Sequence, residues 1–159
     1  MYLHLVLDWG SKKIIGYELN QQSKTGDWLR PLVRAVNQQF PHGLRETTTL
    51  RLVSDNGCQP TSVRFMRECR GLGIEQIFTS YANPKDNADT ERVFRTLKED
   101  LIWPREWLTV QQLEQALAWW IRNYNEDYPH SSIHYQTPQQ FETSFKPQPS
   151  TPKTLQIAA

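Results

Sequence analysis

An α/β domain with helices on both faces of one sheet is the fold this sequence predicts, and three observations predict it. Apolar runs of strand length alternate with helical periodicities in the order strand, helix, strand, helix, strand. Two of those runs stop at turn-forming tetrads, Asp8-Trp9-Gly10-Ser11 and Ser54-Asp55-Asn56-Gly57. The 159 residues are 38% hydrophobic and include six Trp, six Tyr and six Phe, enough for one continuous core but not for two.

Met1 to Trp9 is mostly apolar, and after the turn Lys13 to Leu19 resumes a strand-like pattern, so residues 1–20 are expected to form an antiparallel hairpin. Thr25 is a candidate cap for a helix whose apolar positions Trp28, Leu29, Leu32, Val33, Val36 and Phe40 follow a helical repeat, with Pro31 tolerated near its start. Leu50 to Val53 reads as a buried strand. Thr61 or Ser62 opens a second helix with Phe65, Met66, Cys69 and Leu72 on one side, and Ile74 to Phe78 reads as the next strand.

Residues 79–89 are polar and rich in turn formers. A helix follows from about Ala88 to Ile102, with Val93, Phe94, Leu97 and Leu101 inward. Thr109 with Gln112 matches a capping box and opens a last long helix with Val110, Leu113, Leu117, Trp120, Ile121 and Tyr124 on its core side. The expected organisation is a core over residues 1–143, then a disordered or linker tail over 144–159, where prolines cluster and core formers are few.

Composition narrows function less than pattern does. Eighteen Lys and Arg against seventeen Asp and Glu give a net charge of +1, so binding to nucleic acid depends on local clustering of the basic residues. Cys58 and Cys69 lie in no metal-type spacing and suggest no disulfide scaffold. The longest apolar runs are far below membrane-spanning length and no basic-then-apolar leader is visible, so the expected location is the cytoplasm, with no membrane partner.

Two carboxylates are placed where chemistry collects. Asp55 lies at the end of a strand, directly before a glycine turn, where functional groups of open α/β sheets gather. Glu91 lies early in a helix whose apolar face points elsewhere. Phosphodiester cleavage or exchange needs charge stabilisation on the attacking and leaving oxygens, which divalent ions held by carboxylates supply. Magnesium suits one or two such carboxylates completed by water and phosphate oxygens. A plainer reading stands beside this one: Asp55 is an ordinary turn former whose side chain bonds the backbone two residues on, and Glu91 pairs with Arg95 one helical turn later.

Several segments together resemble one family. They are Leu-Asp-Trp-Gly-Ser-Lys-Lys-Ile-Ile-Gly-Tyr at 7–17, Ser-Asp-Asn-Gly-Cys-Gln at 54–59, and Asn-Pro-Lys-Asp-Asn-Ala-Asp-Thr-Glu-Arg-Val-Phe-Arg-Thr-Leu-Lys-Glu-Asp at 83–100, followed by Tyr-Asn, His130 and Thr-Pro within 124–138. The chain resembles the catalytic cores of IS3-type insertion-sequence transposases, relatives of retroviral integrases. That resemblance implies an RNase H-like mixed sheet of five strands with flanking helices. It also implies cleavage at element ends and strand transfer, with Mg2+ as cofactor and Mn2+ as substitute.

Thirty-five residues lie between Asp55 and Glu91, the family's spacing between its second and third catalytic carboxylates, so the resemblance assigns both as catalytic metal ligands. The first aspartate of that pattern belongs on a strand upstream of the one matched here, so the first strand and its carboxylate are expected to be missing. Asp8 follows an apolar strand too but sits at a later hairpin position. The fragment is therefore expected to be weak or inactive alone, and a non-catalytic DNA-binding or interaction remnant is the alternative. A ribonuclease acting on RNA–DNA hybrids is a third option.

Arg92, Arg95 and Lys98 follow Glu91 on its helix and are the expected contacts to the DNA backbone, against the alternative of a solvated charged face. Gln59 and Asn87 are expected to support the carboxylates, or else to make local hydrogen bonds. His130 is expected to be a structural loop residue. The implied partners are double-stranded DNA, as element ends and target, and further copies of the full-length protein, in a bacterial cytoplasm.

Overall fold

The computed structural model describes residues 1–44, 48–79, 88–144 and 152–159. The chain opens with the expected hairpin. Strand β1 (Tyr2–Asp8) pairs antiparallel with β2 (Ile14–Asn20), from Tyr2 opposite Asn20 to Leu7 opposite Ile14. Side chains alternate across β1: Leu5 and Leu7 enter one core cluster and Val6 the other, so each sheet face is defined from the first strand onward.

Helix α1 (Thr25–Gln39) buries Trp28, Leu29, Leu32 and Val36 against the Val6 face, the stripe its periodicity predicts. Thr25 is its first helical residue and Lys24 its cap, and the Asp27 carboxylate accepts the Lys24 backbone N–H at 2.7 Å. Gly16 on β2 is where this helix comes closest to the sheet. A side chain there would lie 2.6 Å from the Pro31 carbonyl oxygen, so only glycine admits the helix at that depth.

Strand β3 (Leu50–Ser54), helix α2 (Val63–Gly71) and strand β4 (Ile74–Phe78) form a strand-helix-strand unit in which β3 and β4 run parallel. The Ser62 hydroxyl accepts the Phe65 N–H and caps α2. Helix α3 (Ala88–Leu97) continues into a π turn at Lys98–Ile102, a widening that ends the regular helix five residues before the sequence suggested.

Helix α4 (Val110–Glu126) is capped by the Thr109 hydroxyl, which accepts the Gln112 N–H at 3.2 Å as the capping-box pattern predicts. It buries Leu117, Trp120, Ile121 and Tyr124, but Val110 is exposed because the first turn overhangs the core. A short helix α5 (Pro138–Ser144), which the sequence did not predict, is preceded by Thr137, whose side chain and backbone exchange bonds with Gln140.

The main correction concerns the C-terminus. Residues 145–151 of the expected 144–159 tail lie outside the described residues, but Lys153–Ala158 is no linker: it forms β5, buried in the middle of the sheet. The sheet order is β2-β1-β5-β3-β4, with β5 antiparallel to β1 and parallel to β3. The expected gap between the hairpin and the Asp55 strand is therefore filled.

The alternation that drives this is short. Leu155 and Ile157 face the α1–α2 core, and Ala158 pairs with Leu5 on the other face. A composition averaged over sixteen residues hides a six-residue strand preceded by prolines. Filling the slot matters because β1 and β3 would otherwise present unpaired backbone groups inside the sheet.

Candidate functional site

Asp55 is the first residue beyond β3, and Glu91 lies in the first turn of α3. Both are exposed, and both line one open groove of about 820 Å³ together with Thr90, Arg95 and Lys98. The parallel β3–β5 pairing, carried two residues beyond Val53 and Gln156, sets Asp55 beside Ala158. Ala158 lines the same groove, on the sheet face that α3 covers. The structure thus brings two sequence-selected carboxylates and two of three sequence-selected cations to one rim.

Asp55 also does what the plainer reading expected. Its Oδ1 accepts the Gly57 N–H at 2.9 Å, so the carboxylate is oriented by its own turn. The two readings are compatible, since the turn occupies one oxygen and leaves Oδ2 facing outward from it. The expected alternative for Glu91 is not what forms: Arg95 pairs with Glu99 at 3.6 Å, an exposed contact of little energetic weight. Among the described residues Glu91 makes no ion pair.

Arg92 lies on the other flank of α3 from the groove, against a smaller hollow. Gln59 is turned away: its Oε1 accepts the Thr25 hydroxyl and its Nε2 donates to the Ser23 carbonyl, both at 2.8 Å, tying the loop after β3 to the start of α1. Asn87 lies outside the described residues. Arg64, Arg67 and Arg70 are exposed on α2, as expected of surface residues.

Asp8 belongs to a different place. Its Oδ2 pairs with Lys153 Nζ at 3.0 Å and its Oδ1 accepts the Gly10 N–H at 3.0 Å. It stands opposite Leu155, three residues and roughly 10 Å along β5 from the groove end at Ala158. Lys153 is held further by Gln39 Oε1 at 2.8 Å and by the Phe40 ring, so Asp8 is part of a lock on the start of β5.

Asn125 is the residue the sequence reading underused. Its side chain accepts the Ile14 N–H and donates to the Ile14 carbonyl, both at 2.9 Å, pinning α4 to the start of β2. The Tyr-Asn pair was the signal, since Tyr124 beside it is buried in the same interface. Burial pushes the Tyr124 hydroxyl well above its ordinary pKa, with Asp89 adding to the shift, so it stays neutral. Burial likewise pushes the Cys69 thiol up to about 12, which makes it an inert core residue.

The donor set fits one hard cation better than two. Two carboxylates on one rim suit an ion whose remaining positions are taken by water and phosphate oxygens. Among the described residues no group of three or more His, Cys, Asp or Glu is placed to hold a metal. Ala158, which the strand register sets beside Asp55, lines the groove with a methyl group and adds no ligand.

The family described as "Integrase core domain" matches residues 72–138. The chain is 28% identical over 143 residues, 89% of its length, to the transposase for insertion sequence element IS904 of Lactococcus lactis subsp. lactis. It spans about half of that relative, 54%.

Among solved structures, a chain of the simian T-cell lymphotropic virus intasome in complex with PP2A regulatory subunit B56 gamma is similar with a TM-score of 0.70. The identity is 19%, over 92% of this chain and 49% of that one. The catalytic core domain of BIV integrase is similar with a TM-score of 0.60 and 21% identity, over 87% of this chain and 82% of that one. These two likenesses establish the RNase H-like fold.

Proposed function

We propose that the chain is an insertion-element transposase or integrase core domain and that it acts on DNA through the groove between β3 and α3. The observation that carries the reading is the convergence of Asp55 and Glu91, with thirty-five residues between them in sequence, on one rim with Arg95 and Lys98. Asp55 Oδ2 and the Glu91 carboxylate would hold a divalent ion, magnesium or manganese. When bound, that ion would stabilise charge on the phosphodiester oxygens and activate water or a 3′ hydroxyl.

The chain's own residues do the rest by position. The Gly57 N–H fixes the Asp55 carboxylate, so it would meet a cation without reorganising. Glu91 is carried on a helix whose opposite face is locked into the core by Val93 and Leu97. Lys98 and Arg95 hold the DNA backbone by charge, which positions a strand without reading its sequence. Cleavage at element ends followed by strand transfer is the reaction class this arrangement serves.

A second reading rests on Ala158. With a methyl group beside Asp55, ion binding is weak, and the chain by itself behaves as a DNA-binding remnant with low strand-cleaving activity. The exposed Trp103 and Trp119 on the α3–α4 side suit contacts between copies of the full-length protein. Among the described residues no helix is long and apolar enough to cross a membrane.

The experiment is manganese-dependent nicking of supercoiled DNA by the chain and by Asp55→Asn. The expected result is slow nicking that Asp55→Asn removes. Nicking that survives both Asp55→Asn and Glu91→Gln would overturn the assignment. Absence of nicking, with duplex binding intact, would favour the remnant.

A further inference from the structure

Helix α3 separates two concave surfaces. Glu91, Arg95 and Lys98 face the groove, while Asp89 and Arg92 face a hollow of about 100 Å³ on the other flank. Its far wall is the β1–β2 turn, with Lys12, and the loop after α4, with His130, Ser131 and Ser132. The volume equals that of about three waters, the scale of a tetrahedral oxyanion and too small for a base.

The chemistry of the lining matches that size. Lys12 is held at φ 62°, a left-handed conformation uncommon for a residue with a side chain, and its largely buried ammonium pairs with Asp89 Oδ2 at 2.7 Å. Arg92 makes no ion pair among the described residues. Among the described lining residues, Lys12, Arg92 and Asp89 leave one positive charge in excess.

His130 is set rigidly beside it. Its backbone N–H donates to the Gln136 carbonyl and its carbonyl accepts from Ile133 and Tyr135. Its ring is held edge-on to Tyr124 at 5.0 Å and tilted on Tyr128 at 5.3 Å. Its Nε2 is enclosed and makes no hydrogen bond among the described residues, which is unusual enough to need a cause. Burial, then Arg92 and Lys12, hold the imidazole below its ordinary pKa, so it is a neutral donor at pH 7, through whichever ring nitrogen carries the proton. Ser131 and Ser132 are exposed at the rim and add two hydroxyls.

We propose that this hollow is a binding site for one phosphate of a DNA backbone, received by Arg92, the His130 ring and the hydroxyls of Ser131 and Ser132, with Lys12 behind them. The site rests on the DNA reading above and extends it from one flank of α3 to both. Arg92 and Lys98 are six residues apart, about 9 Å along the helix. That is the span of two to three nucleotides at about 3.4 Å of rise per nucleotide. One strand crossing α3 would meet Arg92 on one flank and Lys98 on the other.

The test is fluorescence anisotropy of a labelled duplex with the chain in EDTA, where the carboxylate groove contributes no metal chemistry. Ser132→Asp adds a carboxylate to the rim and Asp89→Asn removes one from the wall. Ser131→Asp serves as a second rim variant, and melting temperatures verify that each protein folds. Ser132→Asp should weaken binding about tenfold and lower the slope of log K against log salt by about one, and Asp89→Asn should tighten binding several-fold.

Three other outcomes overturn the proposal, and they differ from one another. If the unmodified chain binds and all three variants bind equally well, the hollow is not a phosphate site and the DNA reading stands. If the unmodified chain does not bind duplex, both fall. If inorganic phosphate shifts the His130 ring signals in NMR while the variants leave duplex binding unchanged, the hollow takes a free anion and the DNA assignment fails.

Discussion

The two ends of strand β5 are built for opposite purposes. At its start, Lys153 is enclosed by Asp8, Gln39 and the Phe40 ring, so every charge has a partner and little water enters. At its end, Ala158 lies in the groove that also holds the exposed Asp55 and Glu91, neither of which makes an ion pair among the described residues. One end spends its charges on holding the strand in the sheet. The other leaves two carboxylates exposed and unpaired, as the proposed function requires.

This contrast can be broken at the locked end first, where the effect should be largest. Asp8→Ala leaves the Lys153 ammonium, mostly buried, without its carboxylate and removes the acceptor of the Gly10 N–H. A loss of about 1–3 kcal/mol is expected, read as a lower midpoint in urea unfolding, with duplex binding by the folded protein unchanged. If β5 were only loosely seated, the midpoint would not move.

At the open end, the matching change is Ala158→Asp, which puts a third carboxylate beside Asp55 and Glu91. Manganese affinity by calorimetry should rise by about tenfold or more, equivalent to roughly 1.4 kcal/mol, and nicking should rise with it. The gain should vanish when Asp55→Asn is added. A gain independent of Asp55 would mean that position 158 does not belong to the same site.

The smallest effect is a dependence on pH at the same open end of the sheet but on its other face. His4 is fully buried beside Trp28, 5.5 Å away, with Nε2 hydrogen-bonded to the Ser23 hydroxyl at 3.1 Å. Burial is the main cause of a pKa below the ordinary 6.5, opposed by Asp27 and by its contacts with Glu18. The unfolded chain therefore binds this proton more tightly than the folded one. The stability from neutral His4 is complete above about pH 6.5 and is lost as pH falls below it. Melting temperature should drop between pH 7.5 and 5.5, with a shallower drop in His4→Gln.

Much of the fold was legible because its signals are local. Trp28, Leu29, Leu32 and Val36 repeat at helical spacing and are buried in α1, and Thr109 caps α4 through a bond that its own three-residue spacing encodes. The candidate site was legible for a different reason: Asp55 and Glu91 each follow a recognisable sequence context, and their spacing matched a family. The roles of Gln59, Asp8 and His130 were not legible in the same way. Each depends on a partner distant in sequence, namely Ser23, Lys153 and Arg92, and no local period points across such a distance.

The sequence by itself determined the first four strands and the helices that begin near Thr25, Ser62, Ala88 and Thr109, with the apolar stripe of each and the acidic residues at their ends, because these follow from backbone periodicity and turn chemistry within a few residues. Only the tertiary structure decided that Lys153–Ala158 lies in the centre of the sheet, that Ala158 stands beside Asp55, and that α3 divides a carboxylate groove from a cationic hollow. The physical reason is that a six-residue strand gains almost nothing from its own residues. Its place is fixed by the hydrogen bonds and apolar faces that β1 and β3 offer it, and those exist only once the rest of the sheet has formed.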